Sequence, residues 1–235
     1  MSQQVEPGHK PRYRRLLIGF NHHMECRSVL DFAAQVCQAA EVELAGIFVE
    51  DQELFDLARL PFSTEILSSS GVIRNLDSKS VETELRAVAT VMRNALRKLA
   101  GQARRQYSFR TVRGHMWREL IALAGAGDLI LLRAACVPWR AAKPAMPAMN
   151  GPVVLLESPG DGNGNLVALA REIALTLNQE LVIAHTYDGP PGLRELKAGL
   201  IIISGPISGM DVWNKEIESF IDKLSCPVLM VPKGG

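Results

Sequence analysis

Two neighbouring histidines, His22 and His23, lie close in the sequence to Glu25 and Cys26, and all of these residue types can bind a metal ion. They follow an apolar segment that ends at Phe20, and open parallel sheets hold ligands beyond the carboxyl ends of their strands. Adjacent histidine side chains point in different directions, however, and no second pair of ligands accompanies them. The sequence therefore favours a solvated turn, and we predict no metal site.

The segment Gly160–Asn165 alternates glycine with Asp and Asn, as some phosphate-binding and calcium-binding loops do. It lacks both the Lys-Ser/Thr ending of a phosphate loop and the spaced acidic ligands of a calcium loop. Asn163 or Asn165 is a suitable N-cap for a helix that follows. We interpret the segment as a flexible entry to that helix.

Ser28, His115 and Asp128 are the residue types of a hydrolytic triad. A serine nucleophile of this kind often lies on a sharp, glycine-flanked turn between a strand and a helix. No such turn surrounds Ser28, so we reject the triad and predict that the chain is not an enzyme.

The elements that must position these residues occur twice in the chain, once from Arg15 and once from Gly151. Each copy begins with an apolar strand, 16–20 or 152–156, and continues through a polar turn and an amphipathic helix to a second strand. Uninterrupted apolar strands joined by helices are typical of a parallel sheet that helices cover on both faces. We predict an α/β fold of two open parallel-sheet domains in tandem.

The domain boundaries follow from a segment rich in proline and alanine between the two copies. We predict a basic N-terminal tail over 1–14, a first domain over 15–135, a linker over 136–150 and an abridged second domain over 151–235. The second domain is shorter because it leaves no room for the long helix and third strand of the first.

One segment of the first domain stands apart, the stretch from Gln52 to Lys79. It contains Pro61, a Ser-Ser-Ser-Gly run and scattered apolar residues, and connections of this length are usually functional. We predict a loop-like insertion with a short amphipathic part, which varies in order or contacts a protein partner. A long helix, a third strand over 107–113 and a fourth strand over 128–132 are predicted to follow it.

The chain has 235 residues, of which 47% are hydrophobic, enough to bury a substantial core. Charged or polar groups interrupt every apolar run, so we predict no membrane insertion. The first residues are polar and basic, so we expect no secretory signal and a cytoplasmic location.

The cysteines Cys26, Cys37, Cys136 and Cys226 lack metal-type spacing, and we expect reduced core thiols.

Positive and negative charges are nearly equal in number, with 26 Lys and Arg against 25 Asp and Glu. Residues 1–150 contain 20 basic and 15 acidic residues, whereas residues 151–235 contain 6 and 10. Nucleic-acid binding usually needs a clustered basic patch with interleaved aromatic residues. We interpret the arginines at helical spacing within 86–104 as a solvated helix face, and we predict no nucleic-acid partner.

Several segments carry a resemblance through their order: Val49-Glu50-Asp51, Gly114, Asp128-Leu129-Ile130 and Cys226-Pro227-Val228-Leu229-Met230-Val231. In this order they resemble a tandem universal stress protein whose second copy is abridged. The likeness extends over nearly all residues from Arg14 onward. The resemblance implies Rossmann-like domains related to the adenine-nucleotide-hydrolase fold.

Nucleotide-binding members of that family have an acidic residue after the first strand and a glycine-rich phosphate loop after the fourth. Here the first position is Asn21, and residues 133–136 after the first copy's fourth strand include no glycine. In the second copy the glycine spacing is one residue too wide, and Pro206 removes a backbone donor. The resemblance thus implies a degenerate nucleotide pocket, made of Asn21, Val49, Asp51, Gly114, Gly205, Ser208 and Gly209.

We therefore expect a non-catalytic stress-response or regulatory protein that holds no cofactor. Two alternatives stay open. One is an adenine-nucleotide-binding sensor with weak ATPase activity, which would hold ATP or AMP. The other is an accessory subunit that regulates a transporter or a kinase through the loop at 52–79.

Assembly is a further expectation that the resemblance implies, because family members usually pair through their last strands. The corresponding residues of the second copy are Val228, Leu229, Met230 and Val231. The first copy has no clear equivalent, so one sheet edge is expected to stay open for another chain. We predict a homodimer that uses this strand. The alternative is that the two copies pack as an internal pseudo-dimer and satisfy each other's edges within one molecule.

Overall fold

The computed structural model of the protein describes residues 13–22, 26–66, 71–125, 127–132, 151–157, 164–185, 198–205 and 226–232. Its strands are β1 (Arg15–Phe20), β2 (Glu43–Asp51), β3 (Thr64–Ile66), β4 (Ile73–Asn75), β5 (Tyr107–Gly114), β6 (Asp128–Leu132), β7 (Val153–Glu157), β8 (Leu181–His185), β9 (Leu200–Gly205) and β10 (Val228–Pro232). Its helices are α1 (Cys26–Ala40), α2 (Gln52–Ala58), α3 (Ser78–Ala103), α4 (Met116–Leu123) and α5 (Gly164–Thr176). The predicted linker and most of the predicted tail lie outside the described residues.

Strands from both copies form one sheet, in the order β5-β2-β1-β6-β10-β9-β7-β8. Every neighbouring pair is parallel except β6 and β10, which run antiparallel and join the copies. The predicted α/β fold with an open, mostly parallel sheet is therefore confirmed. The strands of the two copies belong to one sheet rather than to two separate ones, because Leu131 of β6 lies opposite Leu229 of β10 and continues the ladder across the boundary.

The physical reason for the joined sheet lies in β6, whose residues are all buried. A fully buried strand needs partners for its backbone N–H and C=O groups on both sides, because water does not reach them. One side is satisfied by β1, and the other side is satisfied by β10 from the second copy.

This pairing corrects the predicted dimer interface at Val228, Leu229, Met230 and Val231. The strand β10 lies inside the sheet between β6 and β9, and these side chains are at most 4% exposed. It therefore has no free edge to offer to a second chain. The hydrophobic pattern of the strand does not reveal this, because the same pattern suits pairing within the chain and pairing between chains.

Side chains alternate between the two faces of the sheet, as a strand geometry requires. In β1, Leu16, Ile18 and Phe20 enter a core that α1, α3 and α5 also line. Leu17 enters a second core on the other face, beside Leu120 of α4. Helices therefore cover both faces of the first copy's strands.

The described residues of the segment from Gln52 to Lys79, 52–66 and 71–79, are not the loop-like insertion that their composition suggests. They form α2, an antiparallel hairpin of β3 and β4, and the first residues of α3. The serines at 68–70 lie outside the described residues. Helix α2 is anchored because Phe55 enters the core. The hairpin is attached through Arg74, whose guanidinium donates hydrogen bonds to Glu65 across the hairpin and to Glu84 on α3.

Candidate functional site

The carboxyl ends of β1, β2, β5 and β6 lie at one edge of the sheet, because these strands run in the same direction. In an open α/β sheet, the ligand crevice forms outside the carboxyl ends where the strand order reverses. In the first copy that point lies between β1 and β6, since the chain proceeds from β1 to β2 and β5 and returns to the other side of β1. The candidate site therefore comprises the residues that end these strands.

Asn21 follows β1 directly and is half-buried at this reversal point. The resemblance places an acidic residue here in nucleotide-binding members, but in this chain the position carries no charge. His22 is also half-buried, whereas His23 and Glu25 lie outside the described residues. Among the residues that the structure describes, no group of three or more His, Cys, Asp or Glu side chains is placed to hold a metal ion.

Asp51 ends β2 and caps α2. Its Oδ1 atom accepts a hydrogen bond from the backbone N–H of Glu53 at 2.9 Å, which satisfies one of the free N–H groups in the first helical turn. Val49 is buried in the core on the α4 face of the sheet. Both predicted site residues of β2 therefore serve the fold, one as a helix cap and the other as a core side chain.

Glu50, between these residues, forms an ion pair that sequence reasoning did not anticipate. Its Oε2 atom accepts hydrogen bonds from Nη2 and Nε of Arg113 on β5, at 3.0 and 3.2 Å. The Arg113 guanidinium also lies over the ring of Phe55, with Cζ 3.7 Å from the ring centre. The available signal was strand register, because neighbouring parallel strands that end in opposite charges bring those charges side by side.

Gly114 ends β5 with a φ of +154°, a backbone conformation that favours glycine. A Cβ atom at this position would collide with the carboxylate of Glu119 in the first turn of α4. Glycine therefore allows the chain to turn from β5 into α4 with Glu119 close to the backbone. The Glu119 side chain occupies the space beside the α carbon of Gly114.

The second copy ends its strands at the opposite edge of the sheet, because β10 runs antiparallel to β6. Its reversal point lies between β7 and β9, which end at Glu157 and Gly205. Gly205 is buried and pairs in register with Pro232 of β10. Ser208 and Gly209 lie outside the described residues.

The predicted pocket residues therefore do not form a single constellation. One edge of the sheet holds Asn21, Val49, Asp51 and Gly114, and the other edge holds Gly205. A ligand bound at one edge cannot contact the residues of the other, because the length of the strands separates them.

Asp128 and His115, two members of the rejected triad, also lie at opposite edges of the sheet. His115 precedes α4 at the carboxyl edge, whereas Asp128 begins β6. The buried Asp128 carboxylate accepts hydrogen bonds from Nε and Nη2 of Arg15 at 2.9 and 2.8 Å, and from the N–H of Gly125 at 2.8 Å. Asp128 therefore ties together the starts of β1 and β6.

No protein-family model matches the sequence of this chain, and no curated protein matches it. Solved structures do match in three dimensions. A universal stress protein from Archaeoglobus fulgidus DSM 4304 has a TM-score of 0.47 and 11% identity, over 94% of this chain and 96% of that chain. A putative universal stress protein from Pseudomonas aeruginosa UCBPP-PA14 has a TM-score of 0.47 and 12% identity, over 95% of this chain and 94% of that chain.

A universal stress protein in complex with cAMP is a further structural match, with a TM-score of 0.25 and 11% identity. That match covers 74% of this chain and 98% of the other.

Proposed function

We propose that this chain is a non-catalytic, cytoplasmic regulatory protein of the universal stress type, whose first copy does not hold ATP in the usual way. The observation that carries the proposal is the engagement of the carboxylates at the candidate site. Asp51 caps α2, and Glu50 is paired with Arg113, so both acidic groups already have partners inside the protein.

A nucleotide with its magnesium ion needs oxygen ligands for the metal and backbone N–H groups for the phosphates. Asn21 supplies no charge at the end of β1. The residues after β6, 133–136, contain no glycine, and a Cβ on each residue restricts the approach of the backbone to an anion. These features together argue against a phosphate site in the first copy.

The second copy differs in one respect, because its first strand, β7, ends in an acidic residue, Glu157. Pro206 follows Gly205 directly, however, and contributes no backbone N–H to a phosphate. Any nucleotide affinity is therefore expected in the second copy and expected to be weak. This is the place where the alternative reading as a nucleotide sensor would have its site.

Titration calorimetry of the full chain with Mg-ATP, and separately with AMP, tests the proposal. We expect no saturable heat at tens of micromolar protein, and no release of phosphate above the buffer control. A low-micromolar isotherm would overturn the proposal. Loss of that isotherm in Gly209→Val, but not in Gly101→Val, would then locate the site, since a Cβ at Gly101 meets nothing within 4 Å.

A specific observation favours a second candidate function, an accessory subunit that regulates a transporter or a kinase through the segment at 52–79. The hairpin of β3 and β4 turns its charged side chains toward α3, while Ile66 and Ile73 on its other face are 69% and 65% exposed. Phe62 is 97% exposed and has a φ of +67°, which is unfavourable for a bulky residue. An apolar surface of this kind is typical of a contact with another protein.

Photo-crosslinking in cells tests this second function. A benzoylphenylalanine replaces Phe62, and a second variant carries it at Val91, which is 62% exposed on α3 and serves as the control. We expect position 62 alone to capture one transporter or kinase polypeptide. Equal yields from both positions, or capture of this chain by itself, would contradict the accessory-subunit role.

A further inference from the structure

The outermost strand on one side of the sheet, β5, lies in a part of the chain whose charged residues are all basic. From Leu85 to Arg118, a stretch that covers most of α3, all of β5 and the start of α4, the chain has nine Lys and Arg residues and no Asp or Glu. The whole chain is nearly neutral, with 26 basic and 25 acidic residues. Averaged over residues 1–150 the excess looks small, and its concentration at one place becomes evident only along this stretch.

Few of these cations are neutralised within the described part of the chain. Arg86 pairs with Glu82 on the same helix, and Arg113 pairs with Glu50 on β2. The other seven have no carboxylate of a described residue within ion-pair distance, and we call them the basic belt: Arg93, Arg97, Lys98, Arg104, Arg105, Arg110 and Arg118. All of them except Arg105 are exposed. Such a cluster creates a positive potential that attracts anionic groups.

Members of the basic belt lie on both faces of the sheet at β5. Phe109 packs against the core that α3 lines, and the Cζ atom of Arg93 lies 5.1 Å from the centre of its ring. Because side chains alternate along a strand, Arg110 lies on the opposite face, where Val112 packs against the second core. Arg118 belongs to α4, the helix on that second face.

The strand β5 is an edge strand, bonded only to β2 within the described residues. The backbone N–H of Leu44 donates to the C=O of Gln106 at 3.0 Å. The backbone N–H and C=O groups of the even-numbered residues of β5 therefore face β2. In a parallel pair the backbone groups of alternate residues face the same side. The groups that face away from the sheet are therefore those of Tyr107, Phe109, Thr111 and Arg113. They form an open row of donors and acceptors.

A second copy of the same edge is a poor partner for this row. Antiparallel pairing of two β5 strands would bring two basic belts together, and like charges directly opposite each other destabilise a sheet. Charged residues on an edge strand do commonly prevent such pairing. That role needs charge only on the strand, however, whereas every member of the basic belt except Arg110 lies outside β5.

We propose that β5 is the docking edge for an extended acidic segment of a partner polypeptide. The segment adds a strand beside β5, and its backbone bonds to the outward-facing groups. Its side chains alternate between the two faces, so carboxylates meet Arg93 on one face and Arg110 on the other. A nucleic acid is less suitable, because it neutralises the cations without completing the row of backbone hydrogen bonds. This proposal does not depend on whether the chain binds nucleotides.

Fluorescence anisotropy of the full chain with a short dye-labelled peptide of alternating Glu-Glu and Thr-Val pairs tests the proposal. We expect binding that weakens as salt is added, because salt screens exposed charges. Hydrogen exchange should slow at the outward-facing amides of Phe109, Thr111 and Arg113, since the added strand bonds to them. A peptide with Lys in place of each Glu should not bind.

Matched variants separate the contribution of the charges from that of the backbone hydrogen bonds. The double variant Arg93→Glu with Arg110→Glu reverses the charge on both faces, and we expect binding about tenfold weaker or more. Thr111→Pro removes one outward N–H and leaves the ladder to β2 intact, and we expect binding about fivefold weaker. Arg171→Glu, at an exposed position of α5, is the control and should bind as the unmodified chain does. Circular dichroism establishes that each variant is folded.

Failure of the acidic peptide to bind at sub-millimolar concentrations would overturn the proposal. Binding that Thr111→Pro leaves unchanged, without protection of the outward amides, would also overturn it, because the contact would then be electrostatic only. A labelled oligothymidylate tests whether the edge binds nucleic acid instead. Tighter binding of this oligonucleotide than of the peptide, with loss in the charge-reversal variant, would assign the edge to nucleic acid and overturn a polypeptide partner.

Discussion

A buried carboxylate at position 128 shows how a single residue ties two strands together. Its oxygens accept hydrogen bonds from the Arg15 guanidinium and from the N–H of Gly125, while the Asp128 side chain is only 4% exposed. The hydrogen bond to Asp128 is also the main cause that raises the pKa of Arg15 above its ordinary value. The pair lies at the amino ends of β1 and β6, away from the candidate site, so its role is structural.

We predict that Asp128→Ala lowers the free energy of unfolding by about 2 kcal/mol, because it removes the charge-assisted hydrogen bonds of a buried carboxylate. Urea denaturation followed by circular dichroism measures this change. Arg59→Ala is the control, since its ion pair with Asp56 spans 3.7 Å between exposed side chains. That variant should change the free energy by no more than about 0.5 kcal/mol. Equal losses in the two variants would contradict the structural role of Asp128.

The thiols of Cys37 and Cys226 are buried, and burial raises their pKa values to about 12 and about 11. Because the thiolate is the reactive form, both should resist iodoacetamide in the native protein near neutral pH and react fully in urea. Peptide mass mapping reads each cysteine separately. Native-state modification of Cys37 at the rate seen in urea would contradict the prediction.

The raised pKa values of the two thiols also determine how the stability of the protein changes with pH. Below the ordinary thiol pKa of 9.0, both thiols are protonated in the folded and unfolded states. Above that pH only the unfolded chain loses these protons, so the stability contributed by the buried thiols falls as the pH rises toward the folded pKa values.

Helix α2 connects the core to the candidate site. Its cap is Asp51, its buried anchor is Phe55, and the Phe55 ring also supports the guanidinium of Arg113. Arg113 in turn holds Glu50, so the position of this helix determines whether the acidic end of β2 is engaged. Helix α2, which looks like part of a loop in the sequence, therefore supports the residues at the carboxyl ends of β2 and β5.

We predict that Phe55→Ala lowers the free energy of unfolding by about 3 kcal/mol, because the ring is 3% exposed and its loss leaves a cavity. Phe62→Ala removes the same number of atoms from a ring that is 97% exposed, and it should cause no loss of stability. Thermal denaturation of the two variants in parallel measures the difference. Similar losses from both would mean that Phe62 is buried against another part of the protein in solution.

For the whole molecule, the single sheet makes β10 an internal strand. Leu229 is fully buried and lies between Leu131 of β6 and Ile202 of β9. We predict that Leu229→Pro lowers the free energy of unfolding by about 3 kcal/mol or more, because it breaks both packing and the ladder. Thr111→Pro on the edge strand β5 is the matched control and should cost less than about 1 kcal/mol. Urea denaturation compares them, and a folded, stable Leu229→Pro protein would contradict the internal position of β10.

The assembly state follows from the same observation. The homodimer expected from the sequence relied on a free edge at β10, which the structure uses within the chain. We therefore predict a mass of 25.7 kDa, that of one chain, in sedimentation equilibrium at tens of micromolar. Twice that mass would mean that the chain pairs through another surface, and the exposed hairpin of β3 and β4 would be the first place to test.

The sequence by itself determined the local elements and their order. Continuous apolar runs predicted β1, β2 and β6, and helical periodicity predicted α1 and α3, because these patterns depend only on which face of an element is buried. It also placed Asn21, Asp51 and Gly114 at the ends of strands. The hairpin of β3 and β4 escaped this reasoning, because its apolar residues face away from the protein and its charged residues face α3.

Only the tertiary structure decided which edges pair and which charges meet. The contact of β10 with β6 and the ion pair of Glu50 with Arg113 join residues that are distant in the chain, and the position of β5 at the edge of the sheet is likewise set by the strand order. Each depends on strand order and register, and apolar periodicity constrains neither of them. An apolar strand carries the same pattern whether its neighbour belongs to the first copy, the second copy or another chain, so the choice among these neighbours is made only when the whole sheet assembles.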